Sequence, residues 1–433
     1  MSPRRRAVAD KASETTHAVE YDASGTAVAH HSINGVTWLP RSYAARRRLL
    51  QLLTDGLLPA GYPGAVTEDY LPFQRWDTVQ ALSSYVRGVA TTAQVLRGAG
   101  RGEDAALSAT AAFLCRDLVR HSCGFLFAFV ASASNGLDAS AKQYRFLADV
   151  LNNVSLALDM VSPLLPARLF LPSVCAGSVA GALCGVASGA SRAALTAHFA
   201  RAHNQADVAA KEGSQESLTT VVGMILGWVA VRCTSGSFPL QWALFLALTA
   251  LHLYANASAM RALRLTSLNR ERLGILAQEY VKGRVLTVEE VARRERLLPR
   301  FPPWLASISG ARTLRIGAPL SALAPTQSAS TGFPALQSHH AAFTAAPDAK
   351  HQNGWCIALA RGSSAEDVAH AYSQVVAAFA LRDSGLGCHP LKPASHGPLL
   401  WRSFLEDLKE GGWTCRFLMD GDEGHRVDWR RCD

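Results

Sequence analysis

Seven polar or ionisable side chains, Asn204, Asp207, Lys211, Glu212, Ser214, Gln215 and Glu216, crowd one short segment between two of the most apolar stretches of a 433-residue chain. On a helix, Asn204, Asp207 and Lys211 share a face at i, i+3 and i+7, and Asp207 pairs with Lys211 at i,i+4. Lys211 then stands over Gln215, and Glu212 over Glu216. Gly213 weakens such a helix, so a turn is the alternative. A lysine there suits a phosphate or a carbonyl, and the three carboxylates suit an amine or a proton. His198, Asp207 and Ser214 include the residue types of a hydrolytic triad, but Ser214 lacks the G-x-S-x-G turn, and no catalytic residue is assigned. Three readings stand: a solvated loop, a polar network that locks helices together, and a site for a ligand or ion.

The segments around it must hold these groups in place. Leu169 to Ser191 carries no charge and repeats Gly177, Gly181, Gly185 and Gly189 every fourth residue. That period predicts a helix packed closely on a neighbour, as in small-xxx-small membrane interfaces. Leu218 to Val231 and Cys233 to Met260 are also uncharged, and the latter is the strongest candidate span. Upstream, Val79, Leu82, Val86, Val89, Ala93 and Leu96 recur at steps of three and four, which predicts an amphipathic helix packed through that stripe. In "KQYRFLADVLNNVSLALDMV", Asp149, Asn152 and Asn153 share one face of an otherwise apolar helix and need polar partners.

From Arg261 to Arg300 basic residues dominate, and Thr287 with Glu290 forms a capping box. Residues near 322–350 are rich in Ala, Ser and Pro and read as a flexible insertion, with His339 and His340 solvated. The tail alternates strand-like and helical runs. The expected architecture is mainly α: a membrane-associated helical bundle followed by a small C-terminal α/β domain. Its expected limits are a leader at 1–50, partly disordered, and a helical core at 51–300 with a basic arm from 261. A linker at 301–350 and the α/β domain at 351–433 follow.

Hydrophobic residues make up 49% and charged residues only 18%, which fits a chain part membrane and part soluble. The net charge of +9 lies in arms beside apolar segments with little aromatic interleaving, so lipid head groups are favoured over nucleic acid as partners. Nine cysteines without a CxxC pair read as reduced thiols. Cys388, His389, His396, Cys415, His425 and Cys432 match no zinc spacing, so no metal is expected. "MSPRRRAVADKASETTHAV" lacks an apolar core and is read as a basic tail or an organelle presequence, not a secretory signal.

"LPAGYPGAVTEDYLPFQRWDTVQALSSYVRGV", "GVASGASRAALTAHFARAHNQADVAAKEGSQES" and "TSLNRERLGILAQEYVKGRVLTVEEVARRERLLP" resemble the root UV-B sensitive family over roughly 51–300, with an echo in "FLEDLKEGGWTCRFLMD". Positions matching the family pattern are Arg192, Thr196, His198, Asn204, Asp207, Lys211, Glu212, Gly213, Ser214, Gln215 and Glu216, with Asp149 and Asn152 on the polar helix. The resemblance implies a eukaryotic membrane protein of plastid or mitochondrion linked to vitamin B6 homeostasis and to UV-B and developmental responses, with no established catalysis. The glycine stripe points to self-association, with another family member as the alternative partner. The resulting expectation is non-enzymatic binding or transport of a small polar molecule. No cofactor is required, and a pyridoxal-type ligand is the one the family suggests. The alternatives are a scaffold that docks a partner through the C-terminal domain, and an enzyme using Lys211 or the His198, Asp207 and Ser214 set.

Overall fold

The computed structural model describes residues 54–100, 105–132, 136–298, 313–323, 342–349, 354–383, 399–419 and 422–428, with backbone strands also at 18–21, 27–32, 35–38 and 336–337. It is mainly helical, with a small C-terminal region of short strands and helices. Near the N-terminus, β1 (Ala18–Tyr21), β2 (Ala27–Ser32) and β3 (Gly35–Trp38) form an antiparallel meander. The rest of the leader, the His339–His340 pair, and Cys388, His389, His396 and Cys432 lie outside the described residues.

Among the described residues, six long helices build the body: α1 (Tyr70–Ala99), α2 (Ala105–Ser132), α3 (Ala141–Val161), α4 (Ala167–Phe199), α5 (Gln205–Thr234) and α6 (Phe238–Ala262). α4, α5 and α6 are long and apolar enough to cross a membrane; they take up the three uncharged stretches, except that the third is broken after Thr234 and α6 starts only at Phe238. Pro239 sits in the first turn of α6, where its missing N–H costs nothing. α1 is the central helix and packs against α5, α6 and α3, while α4 packs against α3 and α2.

The apolar stripe of α1 packs as expected, with Leu82, Val86 and Val89 against the α5 glycines, but it is only half-buried apart from Val86, and Leu96 is exposed. The buried line is polar: Gln74, Gln80, Ser83, Arg87, Thr91 and Gln94. The polar partners of this line lie on the neighbouring helices inside the bundle, so the polar face turns inward while the neighbours' outward faces are apolar. The outward faces carry large exposed side chains: Leu114, Leu118, Phe125 and Phe129 on α2, and Val221, Ile225 and Trp228 on α5.

The glycines explain how closely α1 is held. A Cβ on Gly223 would stand 2.6 Å from Tyr85 Cβ, and one on Gly227 would stand 2.8 Å from Val89 Cβ. This second small-xxx-small pair, on α5, was readable in "VVGMILGW" and was missed. On α4 a Cβ at Gly177 would lie 3.2 Å from the Ser155 carbonyl of α3, and one at Gly181 2.8 Å from the Arg120 guanidinium of α2. Gly185 and Gly189 meet nothing within 4 Å, so the close approach expected from the period covers only half the stripe. Gly227→Ile should therefore lower the thermal unfolding midpoint of the purified protein, with overpacking costing about 1–3 kcal/mol. Gly189→Ala should leave the midpoint level or raise it slightly, by about 0.5–1 kcal/mol.

Downstream lie β4 (Leu268–Asn269), α7 (Arg270–Tyr280) and α8 (Val288–Arg294), with the capping box of Thr287 and Glu290 in place. The C-terminal sheet contains β5 (Thr313–Ile316), β6 (Leu336–Gln337), β7 (Phe343–Pro347), β8 (Gly354–Ala360) and, at its far end, β10 (Arg426–Val427). β8 is its centre, antiparallel to β7 and parallel to β5 and β10. α9 (Ala365–Asp383) and α10 (Trp401–Glu410) complete the region, and β9 (Phe417–Leu418) pairs in parallel with β4.

One hydrophobic core joins Leu268, Leu273, Leu276 and Val291 of the basic arm to Phe343, Ile357, Tyr372, Val375, Phe404 and Trp413. The arm thus packs into the C-terminal region, and deleting 351–433 would strip its core. β7 falls inside the stretch read as flexible. Its Phe343 and two alanines are buried or nearly so, but three residues of that type in an Ala/Ser/Pro-rich run leave almost no strand signal.

A buried ionic cluster fastens this region to the bundle. Lys142, at the start of α3, has its Nζ 3.1 Å from Glu295 Oε2, and Arg272 of α7 reaches Glu295 Oε1 at 3.1 Å. Lys142 also donates to the Ala292 carbonyl at 3.0 Å, and Asn269 Nδ2 to the Ala139 carbonyl at 2.7 Å.

Candidate functional site

α4 ends at Phe199, a turn follows with His203 in the left-handed region, and α5 starts at Gln205 and runs straight through Gly213. Asn204 is therefore the residue before the helix, not a member of its face, and its Oδ1 accepts from the Ala202 amide at 3.3 Å. The remaining polar residues divide between two faces of α5, with Gln215 at the boundary between them.

One face holds the incoming chain. Asp207 Oδ2 accepts from the Ala60 amide at 2.7 Å, Lys211 Nζ donates to the Asp55 carbonyl at 2.5 Å, and Gln215 Nε2 donates to the Leu57 carbonyl at 2.5 Å. Asp207 and Lys211 thus bind backbone groups of 55–60 in place of the expected i,i+4 pair. Ser214 returns its hydroxyl to the Ala210 carbonyl at 3.1 Å. His198 Nε2 lies 2.9 Å from Asp69 Oδ2, which also accepts from the Arg264 amide at 2.7 Å. Burial opposes ionisation of Asp69, yet the bond and charge of His198, and then the Arg264 amide, hold its carboxyl below the ordinary carboxylate range. Asp69 therefore staples the start of α1 to the ends of α4 and α6. The three residues of the imagined triad each have a separate partner and form no catalytic set.

The other face of α5 opens on a cavity of about 220 Å³ between α1, α3, α4 and α5. Its walls include Asp149 and Asn152 of α3, Arg192 of α4, and Glu212, Gln215 and Glu216 of α5, six of the residues singled out by sequence. His198, Asn204, Asp207, Lys211 and Ser214 do not line it. Among the lining groups not singled out by sequence are Gln74, Asp77, Gln80, Ser84, Tyr85 and Arg145. Arg145 joins two carboxylates, Asp77 at 2.7 Å and Asp149 at 2.9 Å. Arg192 pairs with Glu216 at 2.5 Å, and the Tyr85 hydroxyl donates to the same carboxylate at 3.4 Å. Glu212 accepts from the Thr196 hydroxyl at 2.8 Å and from Gln74 Nε2 at 3.3 Å. Asn152 Nδ2 donates to the Ser84 hydroxyl at 2.8 Å.

From the cavity a line of polar groups continues along α1. Gln80 Nε2 donates to Asp149 Oδ1 at 2.9 Å and faces His252 Nε2 of α6 at 2.8 Å. Arg87, fully buried, donates to Asn153 Oδ1 at 2.6 Å and to the Thr249 hydroxyl at 3.0 Å. Gln94 Nε2 donates to Gln241 Oε1 at 2.7 Å. From Gln74 to Gln94 this line is about 30 Å long at the helical rise, the thickness of a bilayer's hydrocarbon core. Among the described residues, buried Arg87 NH2, Asn153 Nδ2 and His252 Nδ1 have no hydrogen-bond partner. The missed signal is the spacing Gln74, Asp77, Gln80, Ser84, Arg87, Thr91, Gln94, a helical period in polar residues. Among the described residues no group of three or more His, Cys, Asp or Glu is arranged to hold a metal ion.

A family model described as "Vitamin B6 photo-protection and homoeostasis domain" matches residues 44–284. The chain is similar to "Protein root UVB sensitive 3" of Arabidopsis thaliana, 36% identical over 395 residues that cover 88% of this chain and 86% of that protein. It is 38% identical over 253 residues to "RUS family member 1" of Dictyostelium discoideum, covering 57% of this chain and 48% of that one. It is 28% identical over 257 residues to "Protein root UVB sensitive 2, chloroplastic" of Arabidopsis thaliana, covering 59% and 58%. No solved structure matches the chain.

Proposed function

Because this chain belongs to the root UVB sensitive family, whose domain is described by vitamin B6 photo-protection and homoeostasis, we propose that it is an integral membrane protein that binds a small polar molecule of vitamin B6 type and moves it across the bilayer. The observation that carries this reading is the cavity of about 220 Å³, walled by ionised and amide side chains inside a bundle whose outer faces are apolar. Soluble proteins do not leave so many large apolar side chains facing water, whereas lipid covers them. Polar groups enclosed by apolar helices mark ligand or ion pathways in membrane proteins. The buried polar line on α1 supports movement from the cavity toward Gln94 and Gln241. Binding and translocation need no covalent chemistry, and the scattered partners of His198, Asp207 and Ser214 support a non-enzymatic reading. An organelle membrane is the proposed location, in keeping with the chloroplastic relative. Lipid is the proposed partner of the α2 and α5 outer faces, with a second copy of the chain as the competing occupant.

The test is on the full chain. It should stay in the membrane pellet through alkaline carbonate and leave it only with detergent. Reconstituted in liposomes, it should take up labelled pyridoxine or pyridoxamine saturably. Ser188→Trp, which fills the cavity wall, should reduce uptake by about tenfold or more without altering extraction behaviour. Release by carbonate, or uptake indifferent to the filled cavity, would sink the proposal.

A further inference from the structure

We infer that the cavity takes a small organic cation, a protonated amine or pyridinium, and that Glu212 is the carboxylate that receives its nitrogen. This rests on the cavity being the binding site and adds the charge of what is bound.

The argument is a balance of fixed charges. Arg145 lies between Asp77 and Asp149, within ion-pair distance of both. The second cation of that neighbourhood is Arg87, buried one rung along α1 and with no carboxylate in ion-pair distance among the described residues. Two carboxylates and two guanidiniums cancel. Arg192 and Glu216 cancel each other. Among the charges that line the cavity, taken with Arg87, Glu212 is left over. Its carboxylate accepts hydrogen bonds from neutral donors, the Thr196 hydroxyl and the Gln74 amide; no lysine, arginine or histidine lies within ion-pair distance of it among the described residues, and the guanidinium that attracts it most, Arg192, is already paired with Glu216.

A partly enclosed carboxylate without a counter-ion takes up a proton or a cation. The space beside Glu212 is far larger than a proton or a bare metal ion requires, and the carboxylates nearby are already committed to guanidiniums. Phe73 and Tyr85 also face the cavity and add aromatic surfaces of the kind that attract organic cations. A phosphate ester would meet the opposite situation: both lining guanidiniums are neutralised, and the excess charge is negative. Among B6 vitamers the cavity therefore favours the unphosphorylated amine over phosphorylated forms.

The experiment measures binding of pyridoxamine, pyridoxine and pyridoxamine 5′-phosphate by calorimetry to the full-length protein in lipid nanodiscs at neutral pH. Pyridoxamine should bind at least about tenfold more tightly than its phosphate, and Glu212→Gln should weaken pyridoxamine by about tenfold or more while changing pyridoxine by less than about threefold. Glu212→Asp, which keeps the charge, should lose less than the glutamine variant, and it carries the test if Glu212→Gln does not yield a monodisperse protein. Equal pyridoxamine binding by wild type and Glu212→Gln, or a phosphate ester bound as well as the amine, overturns the inference while leaving the cavity as a site. Failure of all three probes to bind the wild type overturns the site itself, and the inference with it.

Discussion

Glu295→Ala is expected to unfold the joint between the helical bundle and the C-terminal region, lowering stability by about 3–5 kcal/mol, because it leaves two buried cations without their shared carboxylate. The Glu295 side chain is 1% exposed, Lys142 is 0% and Arg272 is 2%, so water cannot take over the lost role. Limited proteolysis and thermal unfolding should both register the change, with cleavage appearing between 262 and 300. Glu295→Gln keeps the shape and removes the charge, and should fall between wild type and alanine. The pH dependence follows from the same cluster. Burial opposes the charge on Glu295, but Arg272 and then Lys142 outweigh it, and the carboxyl lies below its ordinary value of 4.5. A lowered carboxyl contributes its stabilisation in full above the unfolded value and loses it as pH falls through the folded one. Wild type should therefore lose this contribution progressively below pH 4.5, and Glu295→Gln should lack that component of its acid unfolding curve. A Gln variant with an unchanged acid limb would contradict the assignment.

Arg145→Met should be nearly as damaging, and at the cavity. It removes the cation shared by Asp77 and Asp149, whose side chains are 24% and 6% exposed, and sets two carboxylates against each other across α1 and α3. The expected cost is about 3 kcal/mol, the lower end for breaking a buried pair, because Asp77 keeps some contact with solvent. Adding Asp149→Asn to Arg145→Met should restore part of the loss, since one of the stranded charges is gone and the amide can still meet Gln80. Thermal midpoints of the four proteins of this cycle measure the coupling. Additive losses would show that Arg145 serves the bundle by packing and not by pairing.

What could be read from the sequence is what depends on neighbours along the chain. Uncharged runs at Leu169–Ser191, Leu218–Val231 and Cys233–Met260 became α4, α5 and α6 because length and composition alone decide a long apolar helix. The polar content of 149–152 and 204–216 was legible as an anomaly, and Asp149, Asn152, Glu212 and Glu216 do face one cavity. What sequence could not decide was which face of α5 meets which partner. Lys211 and Glu212 are adjacent, yet one binds the strap at Asp55 and the other looks into the cavity. A period of 3.6 fixes relative directions on a helix but not the absolute one, which α1 sets here by its own position. Arg87 and Arg145 were passed over because a single arginine in a helix usually lies at the surface, and only the tertiary fold reveals their partners. The joint core of 268–291 and 343–413 was illegible for a similar reason: its halves are separated by a segment whose composition points away from regular structure.

The inward polar face of α1 also has a consequence for biosynthesis. On the proposed membrane reading, one charged residue at the centre of an isolated helix costs insertion about 2.5–3.5 kcal/mol, and α1, which is not among the three helices apolar enough to cross on their own, carries both Asp77 and Arg87. The groups that satisfy them, Arg145 on α3 and Thr249 on α6, leave the ribosome later, α6 beginning only at Phe238. On that reading α1 is made before the helices that satisfy it and settles only once they have arrived.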